Sequence, residues 1–259
     1  MSVLIDSHCH LDLPAFCGDR DAVLQRAHKA GVGAIMVPAV DRAHWSGLLQ
    51  LAGQREPVSI GVALGLHPCF EHQPDDLDAL AQAVEAHPQV MALGECGLDG
   101  VGGVLPMAEQ IALCQGQLAL AHQHRLPVIL HVRKAHNEML SLLSRQPLPA
   151  GGVIHGFSGS LVQAQQYWRH GIHLGVGGVI TYPRANKTRQ ALAAIDAEAL
   201  VLETDSPDMP LCGHQGERNE PARVADVLAQ LAQLRQQPID TLKAQLTANT
   251  QRLFPRLVI

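Results

Sequence analysis

Short apolar runs, each bounded by Gly, Pro or polar residues, recur from one end of the chain to the other. Most are rich in Val, Ile and Leu and show no strict alternation of apolar and polar positions. This pattern is typical of strands that are covered on both faces in a parallel sheet. We therefore predict eight short β-strands, at residues 3–6, 34–37, 59–64, 90–94, 128–131, 152–155, 173–176 and 200–203.

Segments with helical spacing lie between these runs. Residues 19–30, for example, place Val23 and Ala27 on one stripe, and Gly31 follows as a helix stop. Strand and helix are thus predicted to alternate eight times, and a further helix at 238–254 lies beyond the eighth unit. The other predicted helices are 75–87, 107–124, 135–143, 160–170, 187–195 and 221–234.

This alternation favours a (β/α)8 TIM barrel of the α/β class over an open doubly wound sheet. No GxGxxG motif follows the first run, which disfavours an open dinucleotide-binding sheet. The sequence shows no interdomain linker, low-complexity stretch or short repeat, and 259 residues are a usual length for one α/β barrel. We predict a single domain over residues 1–259.

Composition and charge narrow the class of protein. A net charge of -5 and a pI near 6.3 argue against binding nucleic acid through bulk positive charge, so any such contact is expected to be local. The six cysteines include no CxxC pair and are expected to be reduced. We find neither a signal-peptide pattern nor an apolar stretch near the ~18 residues that span a bilayer. We expect a cytoplasmic protein with no membrane association and no obligate protein partner.

Good metal ligands stand at or just past the ends of several predicted strands. Because the active site of a parallel barrel forms at the C-terminal ends of its strands, such residues could converge at one mouth. His8 and His10 leave the first strand at i and i+2, a spacing that turns both imidazoles to the same side of extended backbone. The ligands after the fourth, fifth, sixth and eighth strands are Glu95, His131, His155 and Asp205.

The number of these ligands indicates two metal ions. Four histidines and two carboxylates exceed the needs of one ion, whereas two ions about 3.5–4 Å apart would use them all if one carboxylate bridged. Glu95 is the natural bridge, because its strand lies between the two groups of ligands. The mixed donor set suits Zn²⁺, Mn²⁺, Fe²⁺ or Ni²⁺ better than Ca²⁺, and Mg²⁺ fits as a working ion in a site with open positions. The expected chemistry is hydrolysis by a metal-activated water.

Seven motifs along the chain resemble those of the TatD family of metal-dependent deoxyribonucleases, which are amidohydrolase-like barrels, and they stand in family order. The segment 175–184 resembles the YjjV subgroup of that family. The motifs are Asp6-Ser7-His8-Cys9-His10, Gly65-Leu66-His67-Pro68, Gly94-Glu95-Cys96-Gly97-Leu98-Asp99, Leu130-His131-Val132-Arg133, His155-Gly156-Phe157-Ser158-Gly159, Glu203-Thr204-Asp205-Ser206-Pro207 and Arg218-Asn219-Glu220-Pro221.

The resemblance implies roles for these residues. It implies two metal ions that share Glu95, with Asp205 as the catalytic carboxylate and Glu203 supporting it. It also implies that His67 and Arg133 approach a substrate phosphate. His67 could instead order the turn before Pro68, Arg133 could form a surface ion pair, and Glu203 could be a barrel-wall carboxylate held by hydrogen bonds. The remaining implied ligands are His8, His10 and Asp205 for the first ion, and His131 and His155 for the second.

The leading functional hypothesis is a phosphodiesterase that acts on DNA. The alternative within enzymes is a hydrolase of a small phosphoester, lactone or amide, because the same barrel supports these reactions. A non-catalytic metal-binding protein is the hypothesis from another class. With two Trp, two Tyr and four Phe, the chain has few platforms for stacking bases, so we expect attack on a strand end or on a single exposed phosphodiester.

Overall fold

The structure is a computed structural model that describes residues 3–53 and 56–259. Its eight parallel strands form one sheet in sequence order. The backbone N–H of Ser7 donates to the carbonyl of Leu202 at 2.9 Å, and that of Asp205 donates to the carbonyl of His8 at 2.9 Å, so the last strand meets the first. The predicted (β/α)8 barrel is confirmed. The strands are β1 Leu4–Asp6, β2 Val32–Pro38, β3 Ser59–Leu64, β4 Val90–Asp99, β5 Val128–Arg133, β6 Gly152–Ile154, β7 Ile172–Val176 and β8 Leu200–Leu202.

The helices follow the strands as the barrel requires. One of them, Arg42–Leu51, corrects the sequence-based prediction, which has no helix between the second and third strands. It is capped by Asp41, which accepts from the backbone N–H of His44, and it buries Trp45 and Leu48. The helices are α1 Arg20–Lys29, α2 Arg42–Leu51, α3 Asp76–Ala86, α4 Met107–His124, α5 His136–Arg145, α6 Leu161–Arg169, α7 Asn186–Ala194, α8 Val224–Arg235 and α9 Ile239–Leu253.

Predicted and observed boundaries differ mainly at β4. The strand runs on to Asp99 rather than ending at Gly94, so Glu95 lies inside the strand. The predicted domain also includes residues 1, 2, 54 and 55, which lie outside the described residues. Within the described ranges, no helix combines the length and apolar character needed to cross a membrane.

The apolar core has two layers. The larger one lies between the outer faces of the strands and the helices. The smaller one fills the barrel interior, where Ile129 and Val153 pack with Phe254 and Leu257 from the chain's C-terminal segment. The side chain of Arg256 donates to the carbonyls of Pro88 and Val90 at the start of β4, which places this segment at the N-terminal end of the barrel. That end is therefore closed by apolar side chains.

The predicted ligands His131 and His155 lie one inward-facing position beyond this interior layer, toward the C-terminal ends of the strands. In β5, Ile129 belongs to the interior core and His131 follows at i+2; Val153 and His155 are related in the same way at β6. Side chains at i and i+2 of a strand point to the same face. The fold thus directs the polar residues of the motifs to the C-terminal mouth of the barrel.

Candidate metal centre

The six predicted ligands come together at this mouth, and we call them the donor cluster. They converge although they lie on β4 and β5 or in the turns after β1, β6 and β8. Each is buried or nearly so, with His131 and Asp205 the most accessible at 16% and 15% of their side chains. The donor cluster consists of His8, His10, Glu95, His131, His155 and Asp205.

Glu95 divides the donor cluster into two groups, because its two oxygens face different histidines. On one side, Oε2 lies 3.2 Å from His8 Nε2 and 3.3 Å from His10 Nε2. Asp205 Oδ1 completes this group at 3.4 Å from His8 Nε2 and 3.7 Å from His10 Nε2. This is the donor set that the sequence predicts for a first metal ion.

The other oxygen of Glu95 faces the second group. Oε1 lies 2.8 Å from His155 Nε2 and 3.1 Å from His131 Nδ1, and these two nitrogens are 3.0 Å apart. His67 Nε2 also reaches this oxygen, at 3.0 Å. The structure therefore places His67, predicted as a substrate residue, directly against the proposed bridging carboxylate.

Electrostatics favour an ionised Glu95 beside a neutral His8. Burial opposes ionisation of Glu95, but the surrounding histidines, His155 first among them, outweigh it and hold the pKa of the carboxyl well below its usual range. For His8, burial and the charge of His155 lower the pKa to about 4. Burial also disfavours charge on His155, but Glu95 and Asp205 raise its pKa to about 10. The buried histidines are thus held in different protonation states by one carboxylate-rich site.

The donor chemistry fits bound metal. His8 Nε2 has three electron-rich neighbours within 3.4 Å: His10 Nε2, Glu95 Oε2 and Asp205 Oδ1. His10 Nε2 also approaches Glu95 and Asp205, which makes five close contacts, but each Nε2 carries at most one proton. Protons therefore cannot satisfy all of these contacts, whereas one cation among them would contact every lone pair. Imidazole nitrogen and carboxylate oxygen are the ligands of Zn²⁺, Mn²⁺ and related ions. The donor cluster could therefore hold metal ions.

A residue that received no role from the sequence, Asp99, supports the second group. Its Oδ1 accepts from the backbone N–H groups of Val101 and Gly102, and its Oδ2 lies 2.9 Å from His131 Nε2. Burial opposes ionisation of this carboxyl, but the backbone donors and His131 hold its pKa well below the usual range. An ionised Asp99 accepts only, so it fixes the proton of His131 on Nε2 and leaves Nδ1 free to face Glu95. Its place at the end of the Gly-Leu-Asp motif was the available signal.

Asp6 supports the first group in a similar way. Its Oδ1 accepts from the backbone N–H groups of His8 and Thr204, at 3.2 and 3.0 Å, and its Oδ2 accepts from the Thr204 hydroxyl at 2.6 Å. The carboxyl thus ties the turn that carries His8 to the turn that carries Asp205. Its position at the end of the first predicted strand gave no hint of this contact.

Glu203 contacts the turn after β6. Its Oε1 accepts from the backbone N–H of Gly156, the residue after His155, and its Oε2 has no partner among the described residues. A Cβ at Gly175 would collide with this carboxyl, so the glycine leaves room for it. Burial raises the pKa of Glu203 to about 8. The hydrogen bond to Gly156 thus places Glu203 beside the turn that carries His155, next to the donor cluster.

A cavity of about 560 Å³ opens beside the donor cluster, with His131, His155 and Asp205 in its wall. Arg133 and Lys134 line it from the end of β5. The Arg133 side chain is 59% exposed, and its Nη1 lies 3.9 Å from Asp99 Oδ2. The predicted substrate residue Arg133 therefore stands at the rim of the cavity.

Comparison with known proteins gives a consistent result. The family model for TatD related DNase matches residues 5–255. The uncharacterised metal-dependent hydrolase YjjV of Escherichia coli K12 is 47% identical over 253 residues, which are 96% of this chain and 97% of YjjV. The crystal structure of YjjV matches with a TM-score of 0.93 over 97% of this chain and 98% of that chain.

Two further relatives extend the comparison. The 3′-5′ ssDNA/RNA exonuclease TatD of Erwinia amylovora is 31% identical over 260 residues, which are 97% of this chain and 99% of that protein. A crystal structure of an uncharacterised amidohydrolase from Saccharomyces cerevisiae is 18% identical and shows the fold alone, with a TM-score of 0.80 over 98% of this chain and 100% of that one. The fold is amidohydrolase-like, and the chain belongs to the TatD family of metal-dependent hydrolases.

Proposed function

We propose that the protein is a phosphodiesterase that hydrolyses DNA with two divalent metal ions. The observation that carries the proposal is the wall of the 560 Å³ cavity, where His131, His155 and Asp205 stand together with the cations Arg133 and Lys134. Cations at such a site attract a phosphate, whereas an amide or lactone gives them nothing to neutralise. The volume also suits a nucleotide-sized group, because ligand cavities usually measure about 300–1,000 Å³.

Two groups of donors would hold the metal ions. His8, His10 and Asp205 would bind one ion and His131 and His155 the other, with one oxygen of Glu95 turned toward each. When bound, such ions lower the pKa of water and offset the negative charge of the phosphoryl transition state. Because Asp205 Oδ1 lies between both groups, 3.4 Å from His8 Nε2 and 3.8 Å from His155 Nδ1, it is well placed to accept the proton of the attacking water.

His67 and Arg133 would orient the phosphate. His67 Nδ1 accepts from the backbone N–H of Cys69 at 3.1 Å, and burial lowers the pKa of the ring, so a neutral His67 carries its proton on Nε2. That N–H faces Glu95 Oε1 at 3.0 Å, and it would donate to a phosphate oxygen once metal ions held the carboxylate. Arg133, at the rim, would bind the phosphate from the solvent side.

The same barrel site also supports the hydrolysis of small phosphoesters, lactones or amides. The Erwinia relative, a 3′-5′ ssDNA/RNA exonuclease, favours a nucleic acid, but it is only 31% identical to this chain. A cytoplasmic location and the absence of an obligate partner remain predictions.

The test is a panel of single-stranded, double-stranded and abasic DNA with small phosphoesters, lactones and amides, assayed with Mg²⁺, Mn²⁺ and Zn²⁺. We expect chelator-sensitive hydrolysis of DNA. Asp205→Asn should reduce kcat about a thousandfold or more, because the amide cannot accept the proton. Lys29→Gln is the control, because Lys29 lies in the last turn of α1, at the end of the barrel opposite the donor cluster, and its loss should leave kcat unchanged. Hydrolysis confined to small molecules would contradict the proposal.

A further inference from the structure

The cavity beside the donor cluster adjoins a second one that the proposed reaction does not use. The second cavity measures about 330 Å³, and it shares Val179 and Met209 with the first. It is lined further on by Tyr182 and Arg184. We call the two together the groove; it leads from Asp205 along the segment between β7 and α7.

The walls of the groove are fixed by close packing. A Cβ on Gly178 would lie 2.6 Å from the carbonyl oxygen of Met209, so the two segments touch through their backbones. The Tyr182 hydroxyl donates to the carbonyl of Pro210 at 2.6 Å, and Asn219 Nδ2 donates to the carbonyl of Asp208 at 2.9 Å. The contacts of Gly178 and Tyr182 join the segment before α7 to the turn after β8, and the contact of Asn219 holds that turn itself. The groove is therefore a formed feature beside the catalytic turn.

The groove is cationic although the protein carries a net charge of -5. Among the described residues that line it, Asp205 is the only carboxylate, whereas Arg133, Lys134, Lys187 and Arg184 all carry positive charge. Lys187 and Arg184 are exposed and lie on the β7 to α7 side, away from β5. One phosphate at the metal centre would use Arg133 and leave these two cations without an anion.

Tyr182 gives this part of the groove an aromatic surface. The Arg184 guanidinium carbon lies 5.2 Å from the centre of the Tyr182 ring, a cation–π contact that holds both groups in place. Aromatic rings and guanidinium planes beside a cationic track are the usual platform for the bases of single strands. The groove thus offers a site for a phosphate and a site for a base beside the cavity that contains the metal centre.

We propose that Lys187, Arg184 and Tyr182 form a subsite for the nucleotide next to the scissile phosphate. The subsite binds a second phosphate through the two cations and its base through the ring. The inference rests on the proposed function, since it assumes that the first phosphate lies at the donor cluster. With this subsite, a substrate with two phosphates should have a higher kcat/KM than a substrate with one.

The experiment compares dithymidine monophosphate, which has one phosphate, with trithymidine diphosphate and with the dinucleotide carrying a terminal phosphate. For the wild type, we expect a second phosphate to raise kcat/KM about tenfold, the effect of one charged contact. A gain from either source supports the phosphate site, and a larger gain for the trinucleotide than for the terminal phosphate assigns the difference to the base.

The double variant Arg184→Gln/Lys187→Gln should lose most of that gain. The matched control is Arg169→Gln, an exposed arginine in the last turn of α6 at the opposite end of the barrel, which should keep it. The inference is overturned if the double variant loses the same factor on all three substrates, or if the second phosphate gives the wild type no advantage.

A binding measurement separates this inference from the proposed function. If no phosphodiester is hydrolysed with any metal, the proposed function fails, but fluorescence anisotropy of a labelled thymidine decanucleotide still reports on the groove. In an Asp205→Asn background, Arg184→Gln/Lys187→Gln should weaken binding about tenfold or more, whereas Arg169→Gln should not. Equal affinities for the double variant and its parent would overturn the subsite.

Discussion

The two ends of the barrel interior are built by the same strands but filled with opposite kinds of side chain. At the N-terminal end, Ile129 and Val153 pack with Phe254 and Leu257, and the interior is apolar and closed. At the C-terminal end, imidazoles and carboxylates face one another at about hydrogen-bond distance, beside an open cavity. One layer contributes stability and the other contributes the chemistry.

The transition between the two layers takes a single inward position. Ile129 and His131 are two residues apart, as are Val153 and His155, so the same alternation that buries the core also aims the donors. Changes in one layer should therefore affect mainly its own property. Variants of the polar layer can therefore be compared with a variant of the apolar one.

The largest effect is expected for Glu95→Gln in the polar layer. The amide keeps the size of the side chain but presents a donor to one of the two groups of histidines, so at least one metal ion should be lost. We expect kcat/KM to fall about a thousandfold or more, since such ions supply several kcal/mol to the transition state. Elemental analysis and a phosphodiesterase assay measure both effects. Two bound equivalents with full activity would contradict the bridging role.

Phe254→Ala in the apolar layer should lower the stability of the fold and leave the reaction nearly unchanged. Phe254 is fully buried, and its removal leaves a cavity at the closed end, so unfolding in urea should show a loss of about 3–5 kcal/mol. Phe254→Leu, which leaves a smaller cavity, should cost less. Below the unfolding transition, kcat per folded molecule should change by no more than about twofold, because the substituted site is far from the donors. A large drop in kcat without unfolding would break the separation between the layers.

The sequence predicts which residues belong to the polar layer better than it predicts the contacts between them. His8, Glu95 and Asp205 can be placed at one mouth because strand ends converge in any parallel barrel. The contact of His131 with Asp99 depends on the pairing of β4 with β5, in which Gly97 lies opposite His131 and Asp99 lies opposite Arg133. Such a register, and the direction in which a ring turns, follow from non-local packing that no local pattern encodes.

Two other differences have different causes. His67 lies against Glu95 because the turn after β3 folds inward, which a Gly-Leu-His-Pro motif does not reveal by itself. The missed helix α2 has a readable pattern, since Trp45, Leu48 and a third buried residue recur at spacings of three. That helix could have been predicted, whereas the orientation of His67 could not.

The smallest effect is expected for Asp99→Asn, which sharpens the comparison within the polar layer. Backbone N–H groups of Val101 and Gly102 hold Oδ1, so the new amide would turn its NH₂ toward His131 Nε2. Two donors cannot face each other, and the proton of His131 would move to Nδ1, the nitrogen that faces Glu95.

Asp99→Asn should therefore block a ligand atom without removing any ligand. We expect the affinity for the second metal ion to fall about 10- to 100-fold, as for other changes that reorient a ligating histidine, measured by competition with a chromophoric chelator. Cys69→Ser is the matched control, because Cys69 Sγ also contacts Asp99 Oδ2, at 3.5 Å, but leaves the carboxylate in place. If Asp99→Asn and Cys69→Ser bind metal equally well, the tautomer of His131 does not depend on Asp99, and the polar layer is held by its ligands alone.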